Sequence, residues 1–115
     1  MSQERAIKRL ATYGTLAPGR SNFEQVAMLG GSWSTGTVRG HLKEAGWGAQ
    51  HGYPGLVLDP NGPEVQVHIL EADALAAHWE RLDAFEGSGY RRTVTQVMTR
   101  DGFVSAYIYA LSEPN

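Results

Sequence analysis

The chain has no cysteine among its 115 residues. Disulfides, thiolate metal sites and a cysteine nucleophile are therefore excluded. It also lacks an excess of positive charge. Ten basic and twelve acidic side chains leave a net charge of −2, so no basic footprint for nucleic acid or an anionic membrane is expected. No apolar run approaches the length of a membrane span. Met1-Ser2-Gln3-Glu4-Arg5 leads into no apolar secretory core, and a soluble, cytoplasmic protein is expected. The P-loop spacing and the dinucleotide fingerprint are absent, and Gly87-Ser88-Gly89 lacks the flanks of a nucleophile elbow. The four histidines, His41, His51, His68 and His78, show no paired ligand spacing. A metal site would have to be assembled from distant segments, and none is expected.

What is present describes a folding domain. Hydrophobic residues make up 42% and charged residues 19%, which places the chain outside the disordered class. Its length suits one domain over residues 1–115 with one core. Fourteen glycines are spread along the chain rather than clustered, as many tight turns or close backbone approaches would require. No repeat, linker or low-complexity segment is seen.

Strand and helix signals follow in order. Leu10 to Tyr13 reads as a short strand, running into Gly14-Thr15-Leu16-Ala17-Pro18-Gly19. Gly14 permits an unusual backbone angle there, and the bend is either a nest of N–H groups suited to an anion or an ordinary loop. Ser21 with Glu24 has the form of a capping box. A short helix follows, with Phe23, Val26 and Ala27 on one side and Gly30-Gly31 as its stop. Ser32 to Leu42 reads as a strand with Val38, Gly40 and Leu42 on one face, its interior glycines marking bends or bulges. The aromatics Trp47 and Tyr53 sit in an irregular stretch, either folded onto the core or bordering a pocket. Gly55 to Asp59 is a short strand, Asp59-Pro60-Asn61-Gly62 a turn, and Val65, Val67 and Ile69 alternate as a half-buried strand. Arg92 to Thr99 and Phe103 to Tyr109 form a hairpin through Arg100-Asp101-Gly102. The expected fold is α+β: a small mixed domain whose curled, mostly antiparallel barrel has about six strands and two short helices.

One carboxylate is set apart. A helical pattern runs from Asp73, a candidate N-cap, through Glu86. Leu75, Trp79 and Leu82 form its apolar stripe, and the next position on that stripe is Glu86. Glu80 and Asp83 fall off it, toward solvent. If Glu86 is buried, desolvation and the helix C-terminus both raise its pKa toward that of a general acid/base. If the helix frays at Phe85, Glu86 is a solvated terminal residue.

These residues carry a resemblance. Tyr13-Gly14-Thr15-Leu16, then Pro18-Gly19 and Asn22, Gly52-Tyr53-Pro54-Gly55, Leu82-Asp83-x-x-Glu86-Gly87, Tyr90-x-Arg92 and Tyr109 occur in order along nearly the whole chain. The sequence resembles the small AIG2-like branch of the γ-glutamylcyclotransferase-like family. It departs where many members have a glycine in the strand after the Asp59–Gly62 turn. Val65-Gln66-Val67-His68-Ile69 has none, so Val67 or His68 narrows or reshapes the family's cavity.

The resemblance implies an enzyme of the acyltransferase or lyase type that needs no cofactor. Its substrate would be a small γ-glutamyl compound, cyclised to 5-oxoproline with release of an amine, an amino acid, a peptide or a polyamine-like group. Glu86 would be the general acid/base. Tyr13, Gly14, Thr15 and Leu16 would bind substrate through the backbone, with Tyr90 and Tyr109 hydrogen-bonding Glu86 or substrate. Arg92 reads as a structural charge. The chain would act as monomer or homodimer. The alternative is a non-catalytic small-molecule binding module on the same fold.

Overall fold

The computed structural model describes residues 7–14, 16, 18–20, 23–44, 54–87 and 89–111. Its strands are β1 (Arg9–Thr12), β2 (Ser32–Glu44), β3 (Pro54–Leu58), β4 (Glu64–Glu71), β5 (Tyr90–Thr99) and β6 (Gly102–Leu111). Helix α1 (Glu24–Ala27) follows β1. A 3-10 segment, Asp73–Ala77, and helix α2 (Trp79–Glu86) lie between β4 and β5. The strand order is β3-β2-β4-β1-β6-β5, and β2 also pairs with β5 through Thr37 and Met98. Strands β2, β4, β1, β6 and β5 thus close a five-stranded barrel, with β3 added beside β2. The architecture is the expected α+β barrel. Every pairing is antiparallel except that of β1 with β6.

Alternation along the strands produces two apolar clusters on either side of the barrel wall. Ala11, Val67, Ile69, Val97 and Ile108 face one another inside the barrel. Leu10, Leu70 and Tyr109, on the outer face of the same wall, pack against Val26, Leu75, Trp79 and Leu82 of the helical segments. Burying each such side chain contributes about 1.5–3 kcal/mol. Arg81 joins the two helices: its guanidinium donates to the side-chain oxygen of Gln25 at 3.1 Å and to its carbonyl at 2.8 Å.

The helical segments differ from the sequence expectation. Asp73 does not cap a single long helix. Ala72 occupies the N-cap position without a side-chain hydrogen bond, and the Asp73 carboxylate lies 3.5 Å from Lys8 Nζ instead. The 3-10 segment ends at His78, whose φ of −119° leaves helical geometry. Helix α2 restarts at Trp79. In α1, Val26 is buried but Ala27 is exposed, and Leu29 supplies the second apolar anchor. The helix starts after Phe23 with no side-chain cap. Ser21, half of the expected capping box, lies outside the described residues.

The glycines of β2 are points of close approach rather than bulges. The β2–β4 register runs unbroken from Ser32↔Glu71 to Arg39↔Glu64. A Cβ on Gly36 would stand 2.6 Å from the Met98 carbonyl oxygen and 2.8 Å from Val97 Cγ1, at the seam where β5 closes the barrel. At Gly40 the chain crosses β2. The Asp59–Gly62 turn forms as expected, with Gly62 N–H donating to the Asp59 carbonyl at 2.8 Å, but β3 and β4 do not pair with each other. Asp59 N–H donates to the Arg39 carbonyl on one edge of β2, and Gly40 N–H to the Pro63 carbonyl on the other. A Cβ on Gly62 would lie 3.2 Å from the Gly40 backbone. Beyond this crossing β2 pairs with β3 alone, and Leu42 is exposed instead of sharing the buried face of Val38.

The seam makes a testable demand. Gly36→Ala drives a methyl into the β5 backbone and is expected to destabilise the protein by about 1–3 kcal/mol, measured as a lower urea midpoint. An unchanged midpoint would mean that β2 and β5 do not close at this point.

Candidate active site

The C-terminus of α2 sits against the starts of β5 and the end of β6. Trp79 fixes the helix rotation: its indole N–H donates to the Ile7 carbonyl at 2.7 Å, and its ring meets Tyr107 edge-on at 5.0 Å. Glu86 lies two turns farther along the same helix face. It is half-buried, and burial pushes its carboxyl pKa up to about 7. The helix does not fray before it. Gly87 ends the helix with φ at 85°, and its N–H bonds back to the Asp83 carbonyl at 3.1 Å.

Three tyrosines stand within range of the Glu86 charge. Burial raises the phenol pKa of Tyr13, Tyr90 and Tyr109, and Glu86 adds to the rise in each. The Glu86 charge thus acts on Tyr13 just after β1, on Tyr90 of β5 and on Tyr109 of β6. Tyr13 is bound to backbone on both sides. Its hydroxyl donates to the Tyr109 carbonyl at 2.6 Å and accepts from Leu56 N–H at 3.0 Å. That ties the end of β1 to β3 and β6.

The bend after β1 is only partly described. Thr15 lies outside the described residues. Gly14 does not use the left-handed freedom that glycine permits, and its N–H bonds to Thr12 Oγ1 at 3.3 Å. A Cβ on Gly14 would meet nothing within 4 Å, so open space adjoins the backbone there. The Leu16 side chain is buried with the helical cluster. Trp47, Tyr53 and the other residues of 45–53 lie outside the described residues, as does Asn22.

Asp83 lies off the stripe and partly in solvent, as expected, but helical spacing gave no sign of its partner: Arg92 grips it with two hydrogen bonds, Nε to Oδ1 at 2.9 Å and Nη2 to Oδ2 at 3.2 Å. Tyr109 hydroxyl donates to Asp83 Oδ1 at 2.6 Å. The Arg92 guanidinium lies over the Trp79 and Tyr107 rings, 4.8 and 4.6 Å from their centroids. Arg92 and Tyr109 are direct cross-strand partners. That pairing follows from the register of the Asp-Gly hairpin, which was the available signal. Asp83, Ala84, Gly87, Tyr90, Arg92 and Tyr109 line a cleft of about 470 Å³. Val67 does not border it: the side chain is fully buried inside the barrel. No group of three or more metal-ligating side chains occurs among the described residues.

A partly buried carboxyl with its pKa raised toward neutrality, next to a cleft lined by its neighbours Asp83 and Gly87, marks a candidate functional site. The comparisons with known proteins agree with the fold that carries it. No curated protein matches the chain. An AIG2-like protein of Mus musculus, known from its crystal structure, is 26% identical with a TM-score of 0.72, over 94% of this chain and 79% of that one. YkqA of Bacillus subtilis is 27% identical with a TM-score of 0.71, over 91% of this chain but only 36% of its own length. PH0828 of Pyrococcus horikoshii, 24% identical with a TM-score of 0.63, shares the fold. The family model described as "Gamma-glutamyl cyclotransferase, AIG2-like" matches residues 10–115, and the chain belongs to that family.

Proposed function

We propose that this protein cyclises a γ-glutamyl amine or γ-glutamyl amino acid to 5-oxoproline, with Glu86 as general acid/base. The observation that carries the reading is the placement of Glu86: half-buried, with its pKa pushed up to about 7 and three tyrosines around it. In the reaction the substrate's α-ammonium gives a proton to Glu86. The freed amine attacks the γ-carbonyl, and the new C–N bond closes a five-membered ring. The γ-carbon's old bond to nitrogen then breaks as Glu86 returns the proton to the leaving amine. The regenerated carboxylate takes the surplus proton from the ring nitrogen and passes it to the released amine, which departs as an ammonium. Nucleophile and electrophile belong to one molecule, so orientation replaces a bimolecular encounter. We place the glutamyl carboxylate or the developing oxyanion at the N–H groups of the Gly14-Thr15-Leu16 bend. The open space beside Gly14 supports that placement.

The reading makes two predictions. Glu86→Gln keeps the shape but cannot take the proton. It is expected to lower 5-oxoproline release from a panel of γ-glutamyl amines and dipeptides by about 10²–10⁴-fold. A folded wild type that releases none from the whole panel would end the cyclotransferase reading. In the wild type, kcat/KM should fall tenfold per pH unit below about 7, because only the ionised carboxyl accepts a proton.

The same ionisation has a signature in stability. The folded state holds the Glu86 proton more tightly than the unfolded chain, so it binds more protons between about 4.5 and 7. Stability therefore falls as pH rises through that window. The penalty is absent below it and reaches up to about 3 kcal/mol above it. Glu86→Gln should raise the melting temperature at pH 8 and leave it nearly unchanged at pH 4. Equal effects at both pH values would show that Glu86 is not buried as a carboxylate.

A further inference from the structure

Tyr109 has one proton to give, and the structure shows where it goes. A phenol is a single donor with two acceptor lone pairs. The Tyr109 proton points at Asp83 Oδ1 over 2.6 Å. Asp83 cannot return a proton of its own while Arg92 grips both of its oxygens. Arg92 is itself held over the Trp79 and Tyr107 rings, an arrangement that favours its cation in place. The chain of constraints runs from two rings to a guanidinium, to a carboxylate, to a hydroxyl. Its last member lines the cleft and feels the charge of Glu86.

We infer that Asp83 and Arg92 are positioning residues that fix Tyr109 as a hydrogen-bond acceptor for the α-nitrogen of the substrate. The inference rests on the proposed cyclisation and deepens it. Once Glu86 takes one proton, the amine keeps two N–H bonds and one lone pair. An N–H held by the Tyr109 oxygen turns the lone pair toward the γ-carbonyl. A tyrosine free to rotate could instead donate to that lone pair and block the attack. In this arrangement Tyr109 does not serve the oxyanion, which needs a donor. That task stays with backbone N–H groups.

Asp83→Ala tests the inference by removing the acceptor. Asp83 Oδ1 takes both the Arg92 Nε bond and the Tyr109 proton. Without it Tyr109 has no fixed acceptor and can turn its proton toward the substrate nitrogen. Tyr109→Phe removes the oxygen altogether. Each single variant is expected to lower kcat/KM for a γ-glutamyl amine about tenfold, the usual scale for one charged hydrogen bond. The double variant should also lose about tenfold, because Asp83 acts only through Tyr109.

A second probe separates positioning from a merely structural role. A glutaric acid monoamide is the substrate skeleton without its α-amine, and it inhibits without cyclising. Its inhibition constant should stay within about twofold of wild type in all three variants, since it lacks the nitrogen that Tyr109 holds. Where Asp83→Ala loses its cooperative melt, Arg92→Lys takes its place in the cycle, keeping the charge without the two-pronged grip. Losses that multiply to about a hundredfold in the double variant would overturn the inference while leaving the cyclisation standing. Parallel weakening of the monoamide would do the same. A wild type without turnover would overturn the cyclisation, and the role of Tyr109 with it.

Discussion

Trp79 is the contact on which the site depends. Its indole is 4% exposed and touches three elements at once. It donates to the Ile7 carbonyl before β1, meets Tyr107 of β6 edge-on, and carries the Arg92 guanidinium of β5 on its face. A helix of eight residues has little intrinsic stability in water, so α2 owes its position to this packing. Glu86 is seven residues after Trp79, on the same face. Fixing the rotation at Trp79 therefore fixes the direction of the carboxyl. The rise in its pKa comes from burial at the position so set.

The barrel supplies the rigid wall against which that helix is placed. Strand β1 has only four residues, but it lies between β4 and β6 and buries both faces. Its parallel pairing with β6 sets Tyr13 beside the Tyr109 backbone, where the 2.6 Å bond locks them. The closure between β2 and β5 depends on the absence of a side chain at Gly36, and the crossing over β2 depends on its absence at Gly40 and Gly62. These glycines do for topology what Trp79 does for the helix. They let two stretches of backbone come close enough for the next element to start in the right place.

Much of this was legible in the sequence, because it rests on local periodicity. The Leu75-Trp79-Leu82 stripe continued to Glu86, and the Asp-Gly turn fixed the register of β5 and β6. The same register puts Arg92 opposite Tyr109, though residue-by-residue reading passed over it. What stayed hidden was set by distant partners. Asp73 looks like a helix cap, yet Ala72 takes the N-cap position and the Asp73 carboxylate stands in solvent near Lys8. The Asp59–Gly62 turn looks local until Gly40 lets the chain cross a strand. Asp83 lies off the stripe and should face water, and its side chain is indeed 42% exposed. Only the arrival of Arg92 from β5, nine residues later, makes it part of the cleft. Helical spacing gives direction from an axis but cannot say what waits there.

The two carboxylates of α2 show why direction alone does not assign chemistry. Asp83 and Glu86 are three residues apart on one helix, in the same last turn. Asp83 meets a guanidinium and a phenol proton, so its charge is matched and it serves as a fixed acceptor. Glu86 is more deeply withdrawn from water, and burial raises its pKa. A carboxylate with matched charge is a poor proton carrier, because protonating it would break the pair. A carboxyl held near neutrality exchanges its proton at little cost in either direction. In the proposed cyclisation, two similar side chains thus divide the work of holding and of transferring a proton, and their environments make the division. The division also constrains the proposed leaving step. A proton taken by Glu86 returns only to a nitrogen within its own reach, so that reading places the scissile amide within hydrogen-bond reach of Glu86 rather than of Asp83.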